Sequence, residues 1–139
     1  MDAVTSSIWT QAPEPGIPEP PAIFSDASRL WLAYVRAEDD LVAVVQFDGV
    51  IDHHLSPIND EGLGKHTYAR AGLRFYSFNE LSGSEESSRW SALNARHWVV
   101  SFKDNTLDVV ARSAEVVRTG VSARSPMEAL LAMLHRDEA

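Results

Sequence analysis

Residues 41–47 (LVAVVQF) are apolar at almost every position and run straight into Asp48 and Gly49. A short, valine-rich run of this kind reads as a strand buried on both faces. That strand constrains its neighbours. Residues 29–36 (RLWLAYVR) read as a second strand, separated from it only by the polar turn 37–40. Asp48-Gly49 is either a tight hairpin turn or a glycine bulge within one long strand, and residues 50–55 continue as strand in both cases. Connections this short allow only antiparallel pairing.

The same pattern recurs downstream. Residues 73–81 (LRFYSFNEL) return to strand, with Leu73 and Phe75 on one face and Tyr76 and Phe78 on the other. Residues 96–102 and 106–111 flank Lys103-Asp104-Asn105 and form the clearest hairpin, and residues 115–117 suit a further short strand. Trp31, Trp90 and Trp98 are expected to supply core area. Between the strands, Pro57, Gly62, Gly64 and Gly72 break the ladder pattern. One to two irregular helical turns are expected within residues 60–71, begun by Asn59 or Asp60 and ended by Gly72. Ser87 or Ser88 is expected to cap a short helix ending near Asn94.

Two segments lie outside this pattern. Ser125-Pro126-Met127-Glu128 supplies an N-cap serine, a proline at the first helical position and a glutamate at the third, which is a capping box. Met127, Leu130, Leu131 and Leu134 then recur at helical spacing and predict one buried stripe. At the other end, residues 11–21 hold five prolines (13, 15, 18, 20 and 21) out of seven in the chain. Proline lacks a backbone donor and fixes φ, so an extended arm is expected there, anchored by Ile8 and Trp9 before it and by Ile23 and Phe24 after it. The fold class expected is α+β: an antiparallel sheet of about five or six strands, a C-terminal helix packed on one face, and a proline-rich N-terminal arm. Residues 1–25 form the arm and residues 26–139 one domain.

Composition narrows the function classes. The chain has 139 residues and a net charge of −8, from 12 Lys and Arg against 20 Asp and Glu. That balance argues against nucleic acid or an anionic membrane as the main partner. Cysteine is absent, so a disulfide, a thiolate nucleophile and a Cys-based zinc site are excluded. No apolar run reaches the roughly 20 residues that span a bilayer. Residues 1–10 lack a basic region followed by an apolar one, so a cytoplasmic location is expected.

Chemistry, if present, belongs to the irregular region. Asp52, His53, His54, Asn59, Asp60, Glu61 and His66 crowd within fifteen residues. His66 beside Asp60 or Glu61 is the candidate acid–base pair, since a carboxylate orients an imidazole and favours its charged form. His54 and His66 are weak candidates for a metal, with Asp60 and Glu61 as possible oxygen ligands, but their spacing matches no metal signature. In a strand His53 and His54 point to opposite faces, so only one could join such a site. No Gly-x-Ser-x-Gly, phosphate-cradling glycine loop or His-Glu-x-x-His occurs. The simplest reading gives these residues a structural or recognition role. His97 is expected to be a satisfied edge residue rather than a ligand.

The stretch from Ser56-Pro57-Ile58-Asn59-Asp60-Glu61 through His66, Tyr68 and Gly72-Leu73, followed by Arg96-His97-Trp98 and the Phe102-Lys103-Asp104 turn, resembles a group of small bacterial proteins with no established activity. Their common pattern is Asn-Asp-Glu, a following His with Tyr nearby, Gly-Leu, and a basic-His-aromatic strand. The resemblance spans roughly residues 30–111. It implies no catalytic role, but points to Asn59, Asp60, Glu61, His66, Gly72, Arg96, His97 and Asp104. This chain departs from the pattern at Ile58, where a small residue is expected, and at Thr67, where proline is common.

The function expected is a non-catalytic binding or interaction protein. One form is an immunity-type protein that neutralises a basic partner, with the net charge steering the encounter. His54, Asn59, Asp60, Glu61, His66, Tyr68, Arg96 and His97 are the candidate contact residues. Self-association into a homodimer is compatible with this reading, and no cofactor is implied. The alternative is a small enzyme or metal-dependent protein centred on His66, Asp60 and Glu61.

Overall fold

The computed structural model describes residues 3–17 and 20–138. Pro18 of the proline stretch lies outside the described residues, as do positions 1, 2 and 139 of the expected arm and domain. Seven strands form one antiparallel sheet: β1 (Thr5–Ile8), β2 (Ala22–Ser25), β3 (Arg29–Val35), β4 (Val42–Ser56), β5 (Phe78–Ser82), β6 (Arg96–Ser101) and β7 (Thr106–Val121). Their order is β1-β5-β6-β7-β4-β3-β2. Helix α1 (Glu85–Arg89) is short, and α2 (Pro126–Glu138) closes the chain.

The expected antiparallel sheet and C-terminal helix are present, with more strands than expected. The surplus comes from the N-terminal segment: β1 pairs with β5, and β2 with β3. These strands contain no proline, so their backbone donors are free to pair. The prolines lie between them. Residues 9–16 run from β5 to β3. Trp9 N donates to Phe78 O, Gly16 N to Val35 O, and the Tyr34 hydroxyl to Pro13 O at 2.6 Å. A Cβ on Gly16 would meet Arg36 O at 2.9 Å, so only glycine lets the two backbones approach here.

β4 and β7 are the long members, and Gly49 resolves the alternative at Asp48. The chain does not turn back but continues as one strand, with Gly49 at φ 63°. A side chain there would strike Arg112 of β7. A register shift between Val50 and Asp52 adds curvature. Residues 115–117 belong to the same long β7 rather than to a separate strand.

The sheet curls on itself. Tyr34 of β3 and Phe78 of β5 are separated by three intervening strands in the sheet order, yet their ring centroids are 5.4 Å apart. The inner face buries Trp9, Leu30, Leu32, Val45, Phe47, Trp98, Val100, Leu107 and Val109. Alternation sends the intervening residues outward, and the outer face is covered in two halves. α2 covers β2, β3 and the start of β4, packing Leu130, Ala129 and Met133 onto Ala22, Trp31, Ala33, Val42 and Val44. Residues 57–77 and α1 lie over β5, β6 and the adjoining part of β7.

Several local expectations shift. The buried stripe of α2 is Ala129, Leu130 and Met133, with the expected Leu134 packed partly buried beside it, while Met127 and Leu131 are exposed. The helix presents a face turned from the one that leucine spacing suggests, with small Ala129 against the sheet. Ser125 caps it as expected, its Oγ accepting from Glu128 N at 3.1 Å. Glu128 does not close a full capping box: its carboxylate accepts from the Arg124 backbone N–H. Trp31 and Trp98 are buried, but Trp90 is not. Strand β5 begins at Phe78, not at Leu73. The buried Asn79 amide accepts from Arg74 N and donates to Arg74 O and Val99 O, which holds residues 73–77 in a turn with Tyr76 at φ 50°. α1 is capped by Ser84 rather than by Ser87 or Ser88.

Candidate functional site

The outer face of β6, β7 and the second half of β4 carries polar residues where α2's half carries apolar ones. Register places His97, Val110 and Asp52 in one row, Val99, Asp108 and His54 in the next, and Ser101, Thr106 and Ser56 in the third. Residues 57–77 fold over this face as two single 3-10 turns, Leu63–Lys65 and Ala69–Ala71. They are held by Thr106 Oγ1 donating to Ile58 O at 2.8 Å and by Ser101 Oγ donating to Arg74 O at 2.6 Å. Gly72 ends the second turn at φ 89°, in the left-handed position expected of it.

The turns lower His66 onto β7. Its Nε2 lies 2.9 and 3.1 Å from the two Asp108 oxygens. His97 approaches the same carboxylate from β6, with Nε2 at 3.0 Å from Oδ1. One carboxylate therefore joins two buried imidazoles. Burial pushes the Asp108 carboxyl up, but hydrogen bonds from His66 and His97 outweigh it, and the group sits below the usual carboxylate range. It is an anion that both imidazoles serve as donors.

The tautomer of His66 follows. The Tyr68 backbone N–H donates to His66 Nδ1 at 3.0 Å. Nδ1 is therefore unprotonated, and Nε2–H faces Asp108. His97 Nδ1 meets Ser84 Oγ at 3.0 Å, with Glu86 Oε2 at 3.8 Å. Tyr68 stands beside both rings, edge-on to His97 at 5.7 Å between centroids. Its hydroxyl donates to Glu86 Oε1 and accepts from Glu85 N. Burial and the hydrogen bond to Glu86 push the Tyr68 phenol up to about 12.

Together these groups line a cleft of about 300 Å³, with Asp52, His54, Lys65, Thr67, Tyr68, Glu86 and Asp108 among its walls. Of the sequence candidates, His54, His66, Tyr68 and His97 meet here. Asp60 and Glu61 do not line it. The Asp60 carboxylate accepts from the Tyr76 hydroxyl at 2.5 Å and from Glu61 N, and its pKa is lowered chiefly by the Tyr76 bond. Asn59 accepts from Gly62 N, a local turn bond, and the first 3-10 turn starts at Gly62 without a side-chain cap. Arg96 pairs with Glu80 and stacks on Trp98. Asp104 also lies away from the cleft walls. The pairing of His66 with Asp60 and Glu61 is thus replaced by His66 with Asp108.

Asp108, Ser84 and Glu86 are the residues that sequence reasoning missed. Asp108 had a signal: a carboxylate inside the apolar arm of the clearest hairpin, on the same strand face as His97 once the register is set. Ser84 and Glu86 sit in a serine- and glutamate-rich stretch that reads as a surface loop. A serine, a histidine and an aspartate in contact suggest a nucleophile, but Ser84 is fully buried as the cap of α1 and does not line the cleft. Among the described residues, no group of three or more His, Asp and Glu side chains is arranged to hold a metal ion, and no helix is long and apolar enough to cross a membrane. No family model matches the chain, and no curated protein and no solved structure matches it.

Proposed function

We propose that this chain is a non-catalytic binding protein whose cleft-bearing face engages a basic protein partner, in the manner of an immunity-type protein. The observation that carries this reading is that all four ring nitrogens of His66 and His97 contact groups of the protein itself: Asp108 twice, the Tyr68 backbone and Ser84. Neither of these two rings has a nitrogen left to move a substrate proton. The network instead forms the floor of a surface that includes Asp52, Glu86 and Asp108. The net charge of −8 supports steering toward a basic target. Self-association and a cytoplasmic location belong to the same reading. The acid–base alternative at His66, Asp60 and Glu61 lacks such support, because the Asp60 carboxylate bonds to Tyr76 and neither carboxylate lines the cleft with His66.

The test separates site from overall charge. Binding to an array of Lys- and Arg-rich peptides is measured at low and high salt. Wild type is compared with Asp52→Lys/Glu86→Lys and with a charge-matched control, Glu14→Lys/Glu38→Lys. The expected result is a set of peptides bound by wild type and control, weakened by salt, and lost in the cleft variant. Equal losses in both variants, or affinity that ignores salt, overturn the reading.

A further inference from the structure

His97 is a fully buried titratable group, and the binding reading gives it only a passive place. Its surroundings differ from those of His66 in one respect. A proton on His66 Nδ1 would face the Tyr68 backbone N–H, a donor that cannot reverse. A proton on His97 Nδ1 would face the Ser84 hydroxyl, which can. Ser84 Oγ lies 3.0 Å from Ser87 Oγ, and Ser87 Oγ donates to Ser84 O. The Ser84 hydroxyl can therefore point its hydrogen at neutral His97, or turn it to Ser87 and accept from charged His97. The His97–Ser84 hydrogen bond is kept in either state, and the Ser84 hydroxyl gives its hydrogen to Ser87 only in the second.

Charged and titratable groups surround the ring. From β7 comes Asp108 at 3.0 Å, and from α1 comes Glu86 at 3.8 Å. Residues 57–77 contribute His66, Tyr68 and Lys65, and β4 contributes Asp52 and His54, all lining the same cleft. β5 places uncharged Leu81 beside His97, while Glu80 is paired with Arg96. Glu86 is the pivot. Its Oε1 accepts from the Tyr68 hydroxyl, and its Oε2 is the oxygen nearest His97 Nδ1.

We infer that His97 is a proton-operated latch: proton uptake at Nδ1 draws the Glu86 carboxylate toward the ring and loosens its hold on the Tyr68 hydroxyl, changing the wall of the cleft. The Tyr68 hydroxyl keeps its bond from Glu85 N in both states. The effect on partner binding rests on the binding reading above, but the latch itself does not.

The experiment is therefore done on the full chain alone. Side-chain NMR follows the His97 and His66 ring nitrogens and the Tyr68 ring from about pH 8 to about pH 5, the range in which histidines change charge. His97 is expected to take a proton at Nδ1, with the Tyr68 signals moving at the same midpoint, while His66 keeps Nε2–H. In Glu86→Gln, a change at a partly exposed residue, the His97 midpoint moves to lower pH and Tyr68 stops following it. The latch is overturned if His97 stays neutral to the pH at which the fold is lost. It is equally overturned if Tyr68 does not follow His97, or if Glu86→Gln leaves the midpoint in place. A working latch with no basic-peptide binding would sink the binding reading alone.

Discussion

The two coverings of the sheet's outer face rest on different physics. Under α2, Leu130, Ala129 and Met133 meet Ala22, Trp31, Ala33, Val42 and Val44. Burial of apolar area stabilises that contact without direction, by roughly 2 kcal/mol for a large side chain. Under residues 57–77 and α1, the sheet presents His97, Asp108, Ser101 and Thr106, and the covering replies with His66, Arg74 O, Ile58 O and Ser84. Here each buried group needs a partner, because an unpaired one costs about 1–3 kcal/mol. An apolar cover tolerates a shift in the angle of approach, as the face α2 presents illustrates. A polar cover fixes one geometry or fails. Among the described residues, the buried side-chain polar atoms without a partner are the indole nitrogens of Trp9 and Trp98, both on the inner face and outside either covering.

Removing the anion from the polar half has the largest expected effect. Asp108→Ala leaves two buried imidazoles without their common acceptor and should cost about 3–5 kcal/mol in urea unfolding at neutral pH. Because the native Asp108 carboxyl lies below its ordinary value, its contribution is complete above about pH 4. It is lost as pH falls through the lowered native value. The stability gap between wild type and Asp108→Ala should thus close in acid; a gap that persists there contradicts the ionised bridge.

On the apolar half, Leu130→Ala should cost about 3 kcal/mol through lost area and a cavity. That cost should not change with pH from neutral to mildly acid conditions, since the side chains that Leu130 packs with are apolar. A pH-dependent loss would show that the two halves are coupled.

A smaller effect is expected from Tyr68→Phe, which deletes the hydroxyl between Glu85 N and Glu86. The loss should be about 1 kcal/mol, and amide exchange should rise in α1. If α1 stays equally protected, the hydroxyl does not tie the covering down. Leu131→Ser should move stability by less than about 0.5 kcal/mol, since the side chain is exposed. A cost matching Leu130→Ala would mean that α2 packs on the leucine stripe after all.

The sheet was legible in the sequence wherever one strand carries its own pattern. Residues 41–47 and the hairpin around Lys103-Asp104-Asn105 needed no tertiary knowledge, because apolar runs and turn residues are local signals. β1 was not legible: Thr5–Ile8 is a short edge strand whose partner, β5, lies more than seventy residues away. The candidate site was half legible. His54, His66, Tyr68 and His97 were singled out by residue type, but Asp60 and Glu61 were paired with His66 because they are near in sequence. Asp108 joins His66 across 42 positions.

The sequence alone determined that this chain builds an antiparallel sheet with one capped C-terminal helix, since alternation, turns and capping are written in neighbouring residues. The tertiary structure decided that residues 9–16 run from β5 to β3, which face α2 buries, and which carboxylate the histidines share. Those outcomes depend on register and curvature. They bring together residues distant in sequence, and no local preference encodes such a meeting.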